Sequence, residues 1–350
     1  MKSCYQQKYT PQYRPNEKLV PWNFDRRTLQ TTDILIDIYY CGVCHSDIHQ
    51  ARSEWRKGIY PMVPGHEIVG KVAAIGKDVS KFKIGDLVGV GCMVDSCGNC
   101  TTCQNGYEQF CKSGAVYTYN AIERDGISPT YGGYSNKIVV REAFVLHISE
   151  KLDLAGVAPL LCAGITTYSP IRKWKIGKGH KVGVLGLGGL GHMAVKFAVS
   201  FGAEVTVIST SMNKKEDAEK LGAHQFCYTK DETQVKQFSG YFDFIIDTVS
   251  AEHNYDMYLK MLNVYGVQIL VGIPDKPIAL NPFSLLSNGR TITASSIGGI
   301  PETQEMLDYC AVHNITSDVE IIPISYINEA YERMIKSDVK YRFVIDLSTL

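Results

Sequence analysis

The sequence lacks an excess of either charge: 36 Lys and Arg stand against 36 Asp and Glu, for a formal net charge of zero. That balance excludes a global attraction to nucleic acid or to an anionic membrane surface. No apolar run reaches the ~18 residues that a membrane-spanning helix needs. The start, Met1 to Lys8, lacks the apolar core of a signal peptide. Internal repeats and low-complexity tracts are also missing. The expectation is a cytoplasmic protein with no nucleic-acid partner and no membrane partner. What is present is a chain of 350 residues, 45% hydrophobic and 21% charged, enough for roughly two domains with a sizeable core.

Cysteine is not scarce. The count is 11, and seven of these fall between Cys41 and Cys111. In a reducing compartment such clustering favours metal binding over disulfides. Cys97, Cys100, Cys103 and Cys111 form a C-x2-C-x2-C-x7-C run. Four thiols so close in sequence can close a tetrahedron around zinc with no open position, which makes the site structural. An iron–sulfur cluster is the alternative for four thiolates.

A second constellation is dispersed. Cys44 lies in Cys41-Gly42-Val43-Cys44-His45-Ser46-Asp47-Ile48-His49, after the alternating run Ile34 to Tyr40 that reads as a strand. His66 and Glu67 lie in Pro64-Gly65-His66-Glu67, and Cys162 in Leu161-Cys162-Ala163-Gly164. A catalytic zinc keeps three protein ligands and one open position, and two Cys with one His is a known set. Cys44, His66 and Cys162 are the candidate ligands, with Glu67 able to join. Asp47 is the candidate acceptor for the liganding imidazole, which nearly always needs one. Cys41 and Cys92 are assigned to packing.

Along the chain, short β-like runs with Gly and Pro punctuation extend from Thr32 to about Val145, after an extended lead-in of about 30 residues with an early strand. Only a weak helical signal appears between Ser46 and Tyr60. From Leu154 the texture changes: Ala155 to Pro170 reads as helical around Cys162, and strands then alternate with helices, as in a parallel sheet. A helix over Glu302–Val312 and a closing strand at Phe343–Ile345 return to the first domain.

Gly186-Leu187-Gly188-Gly189-Leu190-Gly191 matches G-x-G-x-x-G, between the apolar strand Lys181–Leu185 and a helix with its apolar face at Leu190, Met193, Ala194, Phe197, Ala198 and Phe201. That context marks a dinucleotide loop rather than a chance glycine turn, with the pyrophosphate at the helix N-terminus. About 20 residues on, an NAD-binder places a carboxylate. Here stands Ser209-Thr210-Ser211-Met212-Asn213-Lys214-Lys215. Hydroxyls and lysines suit a 2′-phosphate, so NADPH is expected over NADH, although charged runs are commonly no more than a solvated face.

With these strings on the page, the chain resembles the zinc-dependent medium-chain dehydrogenase/reductases, in particular the cinnamyl-alcohol-dehydrogenase branch and its NADPH-dependent aldehyde reductases. The stretches Leu161 to Pro170, Ile246 to Val249 and Val339 to Ile345 carry the likeness as well. The resemblance implies an α/β chain: a GroES-like β-rich catalytic domain over 1–153 and 294–350, with a structural zinc lobe at 92–113, and a doubly wound parallel-sheet (Rossmann) domain over 154–293 that binds NADP(H). It implies two zinc ions per chain, a proton relay through Ser46 and His49, and cofactor contacts at Thr166, Thr248, Gly272, Ser295, Ser296 and Ile297. Ser209, Thr210, Ser211 and Lys214 match the 2′-phosphate region. The implied reaction is RCHO + NADPH + H⁺ ⇌ RCH₂OH + NADP⁺, on uncharged aliphatic or aromatic aldehydes, in a homodimer. Trp55, Tyr60, Met62 and Tyr117 are candidate pocket walls. The competing readings are an NAD-dependent secondary alcohol or polyol dehydrogenase and an inactive cofactor-binding homologue.

Overall fold

The computed structural model describes residues 4–7, 17–274 and 276–350; the rest of the expected lead-in, 1–3 and 8–16, lies outside them. The chain divides into two compact units, Met1–Cys162 with Gly298–Leu350, and Ala163–Ile297.

The first unit is built on the strand Asp33–Val43, with eight of its 11 residues buried. Its neighbour on one side is Ile68–Ile75, continued by Leu87–Val90 and Leu146–His147; on the other is the C-terminal strand Arg342–Asp346, backed by Val319–Pro323. Lys137–Arg141 also pairs with the first half of Asp33–Val43. Two register shifts against Ile68–Ile75 bend the long strand, as bulges do. The lead-in contributes the antiparallel pair Cys4–Gln7 and Leu19–Trp22.

Two local readings of the sequence need correction. A true helix, His45–Ala51, follows directly on the long strand. It is seven residues long, too short for a strong periodic signal, and Asp47 stabilises its start by accepting from the Cys44 backbone N–H at 2.9 Å. Conversely, the helix expected through Cys162 is broken there. A short helix over Leu154–Val157 tightens into a 3₁₀ turn, Ala158–Leu161, and Cys162 leaves helical geometry at φ −131, ψ −70. The helix Ala163–Lys173 starts only after it. The break turns a would-be core cysteine into a residue at a corner.

The second unit is a six-stranded sheet, all parallel, in the spatial order Gln225–Tyr228, Glu204–Ser209, Lys181–Leu185, Phe242–Asp247, Leu262–Leu270, Thr291–Ala294. This is the doubly wound order 3-2-1-4-5-6, whose switch point lies between Lys181–Leu185 and Phe242–Asp247. The helix Gly191–Ser200 buries Met193, Ala194, Phe197 and Ala198, the face anticipated from spacing. A 3₁₀ turn, Met212–Lys214, leads into the charged helix Lys215–Lys220, and Gly222 follows at φ +93, where glycine is favoured. Among the described residues no single helix is long and apolar enough to cross a membrane.

Candidate active site

Strand pairing in the first unit brings together residues that are far apart in sequence. Cys44 follows the end of the long strand, His66 and Glu67 precede Ile68–Ile75 in the neighbouring strand, and Cys162 sits at the broken helix. One ligand atom from each of Cys44, His66, Glu67 and Cys162 lies within 4.8 Å of the others, and all four residues are buried. The Cys44 and Cys162 sulfurs are 4.0 Å apart. Two thiolates on one tetrahedral zinc, each about 2.3 Å from the ion, stand about 3.8 Å apart. The donor set and its spacing therefore fit zinc.

Asp47 organises this cluster. It has no exposed surface. Oδ1 lies 3.1 Å from His66 Nδ1 and accepts from the Gly65 N–H at 3.2 Å; Oδ2 accepts from the Cys44 N–H at 2.9 Å and from the Tyr134 hydroxyl at 3.1 Å. A proton held on Nδ1 leaves Nε2 as the free donor atom of His66. Burial disfavours a charged His66, but the Asp47 carboxylate outweighs it and pushes the imidazole well up. The hydrogen bond between the two thiols pulls Cys44 well down and pushes Cys162 well up, so Cys44 is the readier thiolate.

Glu67 is placed by groups that sequence reasoning did not find. Its carboxylate pairs with the buried Arg342 guanidinium, 275 residues away. A Cβ on Gly42 would stand 1.9 Å from Glu67 Oε2, so only glycine leaves room. Burial pushes the Glu67 carboxyl up to about 7, against the opposing pull of Arg342. Oε2 is buried and has no hydrogen-bond partner among the described residues; an orphaned oxygen on a carboxylate that reaches two thiols and an imidazole suits a cation. Arg342 lay in a stretch that carried the resemblance, but nothing local tied it to Glu67. Tyr119, stacked on His66 at 5.7 Å, and Tyr134 gave no sequence signal.

Cys41 is fully buried, but Cys92 does more than pack. Its thiol points at the Leu161 carbonyl at 3.9 Å, and hydrogen bonding with Cys162 lowers its pKa, so it borders the cluster. Of the candidate pocket walls, Met62 is almost wholly buried and Tyr60 hydrogen-bonds to Ser53 and to the Ala51 carbonyl, whereas Trp55 and Tyr117 keep exposed surface. Ser46 is half-buried, its hydroxyl 3.6 Å from the Cys44 sulfur. His49 hydrogen-bonds to Glu54 and stacks on Trp55.

Cys97, Cys100, Cys103 and Cys111 likewise bring their sulfurs within 4.8 Å of one another. The Thr102 hydroxyl beside Cys100 draws that thiol down to about 5. Gly98 at φ +69 allows the turn between the first two.

In the second unit, the expected cofactor residues gather for a topological reason. Because the strands are parallel, the segments after Leu185, Ser209, Asp247, Leu270 and Ala294 leave the same edge of the sheet. They carry the loop Gly186, Leu187, Gly188, Gly189, Leu190 and Gly191, then Thr210, Ser211 and Lys214, then Thr248, Gly272, and Ser295, Ser296 and Ile297. A Cβ on Gly191 would meet the Gly186 carbonyl oxygen at 2.1 Å, whereas one on Gly188 would meet nothing within 4 Å. The first packs the helix onto the turn, and the second leaves backbone open to a pyrophosphate. Thr210 and Ser211 are exposed at the end of Glu204–Ser209, and the first carboxylate beyond them is Glu216. Thr166 is buried in the helix Ala163–Lys173.

Residues 30–150 match the alcohol dehydrogenase GroES-like domain, and residues 189–311 match the zinc-binding dehydrogenase domain. The chain is 54% identical over 326 residues to the probable formaldehyde dehydrogenase AdhA of Bacillus subtilis, covering 93% of each chain. It is 52% identical over 335 residues to NADP-dependent alcohol dehydrogenase C 1 of Mycolicibacterium smegmatis, covering 95% of this chain and 96% of that one. Among solved structures, a cinnamyl alcohol dehydrogenase from Sorghum bicolor aligns with a TM-score of 0.95 at 41% identity, covering 99% of this chain and 98% of that one.

Proposed function

The chain belongs to the zinc-binding alcohol dehydrogenases with a GroES-like domain, and from that premise we propose that it is an NADP(H)-dependent alcohol dehydrogenase that reduces aldehydes to primary alcohols. The observation that carries this reading is the buried cluster of Cys44, His66, Glu67 and Cys162, three ligands and a carboxylate in reserve. Cys44, His66 and Cys162 would hold the catalytic zinc; Cys97, Cys100, Cys103 and Cys111 would hold the structural one. Zinc, when bound, supplies a Lewis acid for the carbonyl oxygen. The Ser46 hydroxyl donates the proton that the reduced oxygen takes up. His49, three residues on and on the same face of the helix, resupplies it from water; its side chain is 18% exposed.

The cofactor reading is NADP(H) rather than NAD(H). It is supported by the exposed hydroxyls of Thr210 and Ser211, by Lys214 in the turn that follows, and by the lack of a carboxylate there. Domains over 1–153 with 294–350 and over 154–293 accompany this reading, as do a cytoplasmic location and a homodimer. The second unit supports the dimer: Thr291–Ala294 ends its sheet, and Tyr265, Phe283 and Leu286 leave more than 70% of their surface exposed.

The test is zinc content together with NADPH-dependent reduction of an aromatic aldehyde. Two zinc ions per chain and a higher kcat/KM with NADPH than with NADH are expected. One zinc ion and no turnover would overturn the reading.

A further inference from the structure

Asp247 ends the strand Phe242–Asp247 at the switch point of the sheet and is 1% exposed. Its carboxylate is fully engaged. Oδ2 accepts from His253 Nε2 at 2.9 Å and from the Gln268 side-chain amide at 2.9 Å; Oδ1 accepts from the Val249 N–H at 3.1 Å. The other ring nitrogen of His253 lies 2.8 Å from the Ala251 carbonyl. A carbonyl and a carboxylate only accept, so the two contacts together favour the ring with both nitrogens protonated. It is packed against Tyr255 at 4.2 Å and Tyr258 at 5.6 Å.

The turn that follows has almost no freedom. The Thr248 N–H and hydroxyl both donate to the Leu185 carbonyl, at 3.1 and 2.7 Å. A Cβ on Gly186 would stand 2.9 Å from Val249 and 3.0 Å from the Thr248 hydroxyl, and one on Gly272 would stand 2.5 Å from the Val249 carbonyl oxygen. Thr248 and Val249 are thus wedged between the glycine loop and Gly272, in contact with both. The wedge is held from behind by Asp247 Oδ1 on the Val249 N–H, and Asp247 is in turn held by His253.

We infer that His253 is a positioning residue for the dinucleotide: by clamping the Asp247 carboxylate it sets the Thr248–Val249 turn, and the turn sets the glycine loop. The inference rests on the proposed NADP(H) reading. His253 packs on Tyr255 and Tyr258 and bonds to Asp247, so it acts through the turn rather than on the ligand.

The experiment is calorimetric titration of the zinc-loaded wild type, His253→Ala and His253→Gln with NADP⁺, alongside kcat and KM with NADPH. His253→Ala should raise Kd and the NADPH KM about tenfold, the scale of one lost charge-assisted hydrogen bond, with kcat within about twofold of wild type. His253→Gln, which restores a donor to Asp247, should recover most of that loss. Asp247→Asn serves as a second variant if His253→Ala does not fold, and it should weaken NADP⁺ in the same direction. Tight wild-type binding with Kd unchanged in these variants would overturn this inference alone. A melting temperature that collapses with kcat and KM falling together, without rescue by glutamine, would make the role merely structural and overturn it too. A wild type that does not bind NADP⁺ would overturn the cofactor reading and this inference with it.

Discussion

The carboxylate of Glu67 and the guanidinium of Arg342 form a buried ion pair next to the cluster of Cys44, His66 and Cys162, with side chains 0% and 4% exposed. Glu67 immediately precedes Ile68–Ile75 and Arg342 opens Arg342–Asp346, and these strands pair with Asp33–Val43 one on each side, so the long strand sets the distance between them. Arg342 holds one oxygen of Glu67, and the other stays buried without a hydrogen-bond partner among the described residues.

Removing one partner of such a pair leaves an uncompensated buried charge. Arg342→Met should lower stability by about 3–5 kcal/mol, read as a fall in the urea midpoint. Adding Glu67→Gln should recover part of the loss. A single Arg342→Met with an unchanged midpoint would show that the pair does not hold the site together.

The two metal sites share no ligand, so each should empty by itself. Cys162→Ser should reduce zinc from two ions per chain to one and abolish aldehyde reduction while leaving circular dichroism unchanged. Elemental analysis of the purified variant checks this. Two ions retained would remove Cys162 from the ligand set.

Cofactor preference should follow the segment after Ser209. Lys214→Ala should cut kcat/KM for NADPH by about 10- to 100-fold and leave NADH nearly unchanged, since a hydrogen bond to a charged phosphate contributes about 1.5–3 kcal/mol. An equal loss with both cofactors would place Lys214 outside the 2′-phosphate site.

The His253–Asp247 pair should make stability depend on pH. Burial disfavours the charged ring, but the hydrogen bond and charge of Asp247 outweigh it and raise its pKa above 6.5. A raised histidine contributes stability that is fully present below the unfolded pKa and is lost as pH rises through the folded one. Urea midpoints of the zinc-loaded wild type should therefore fall as pH climbs above 6.5, and His253→Gln should flatten that slope. Parallel slopes for the two proteins would contradict the imidazolium assignment.

The sites legible in the sequence were those whose parts lie close along it. Cys97, Cys100, Cys103 and Cys111 announce a metal lobe because a few turns of chain bring their sulfurs together. The glycine loop is readable because strand, turn and helix follow one another within 20 residues. Asp47 was identifiable because a liganding imidazole needs an acceptor and this carboxylate stands three residues after Cys44. Cys44, His66 and Cys162 were suggested by their local strings, yet spacing alone could not place them side by side.

What the sequence by itself determined was the local chemistry: a thiol-rich lobe, a phosphate-binding turn, a strand ending in a cysteine, and alternating strands and helices that require a parallel sheet. What only the tertiary structure decided was contact across long separations. Strand register placed Arg342 on Glu67 and left room over Gly42 for its carboxylate. A broken helix turned Cys162 toward Cys44. The wedge of Thr248 between three glycines, with His253 behind it, exists only once parallel strands have brought their ends to one edge. Short-range spacing constrains a few bonds of backbone, but the distance between remote side chains is set by which strands pair and in what register, and that is a property of the folded chain as a whole.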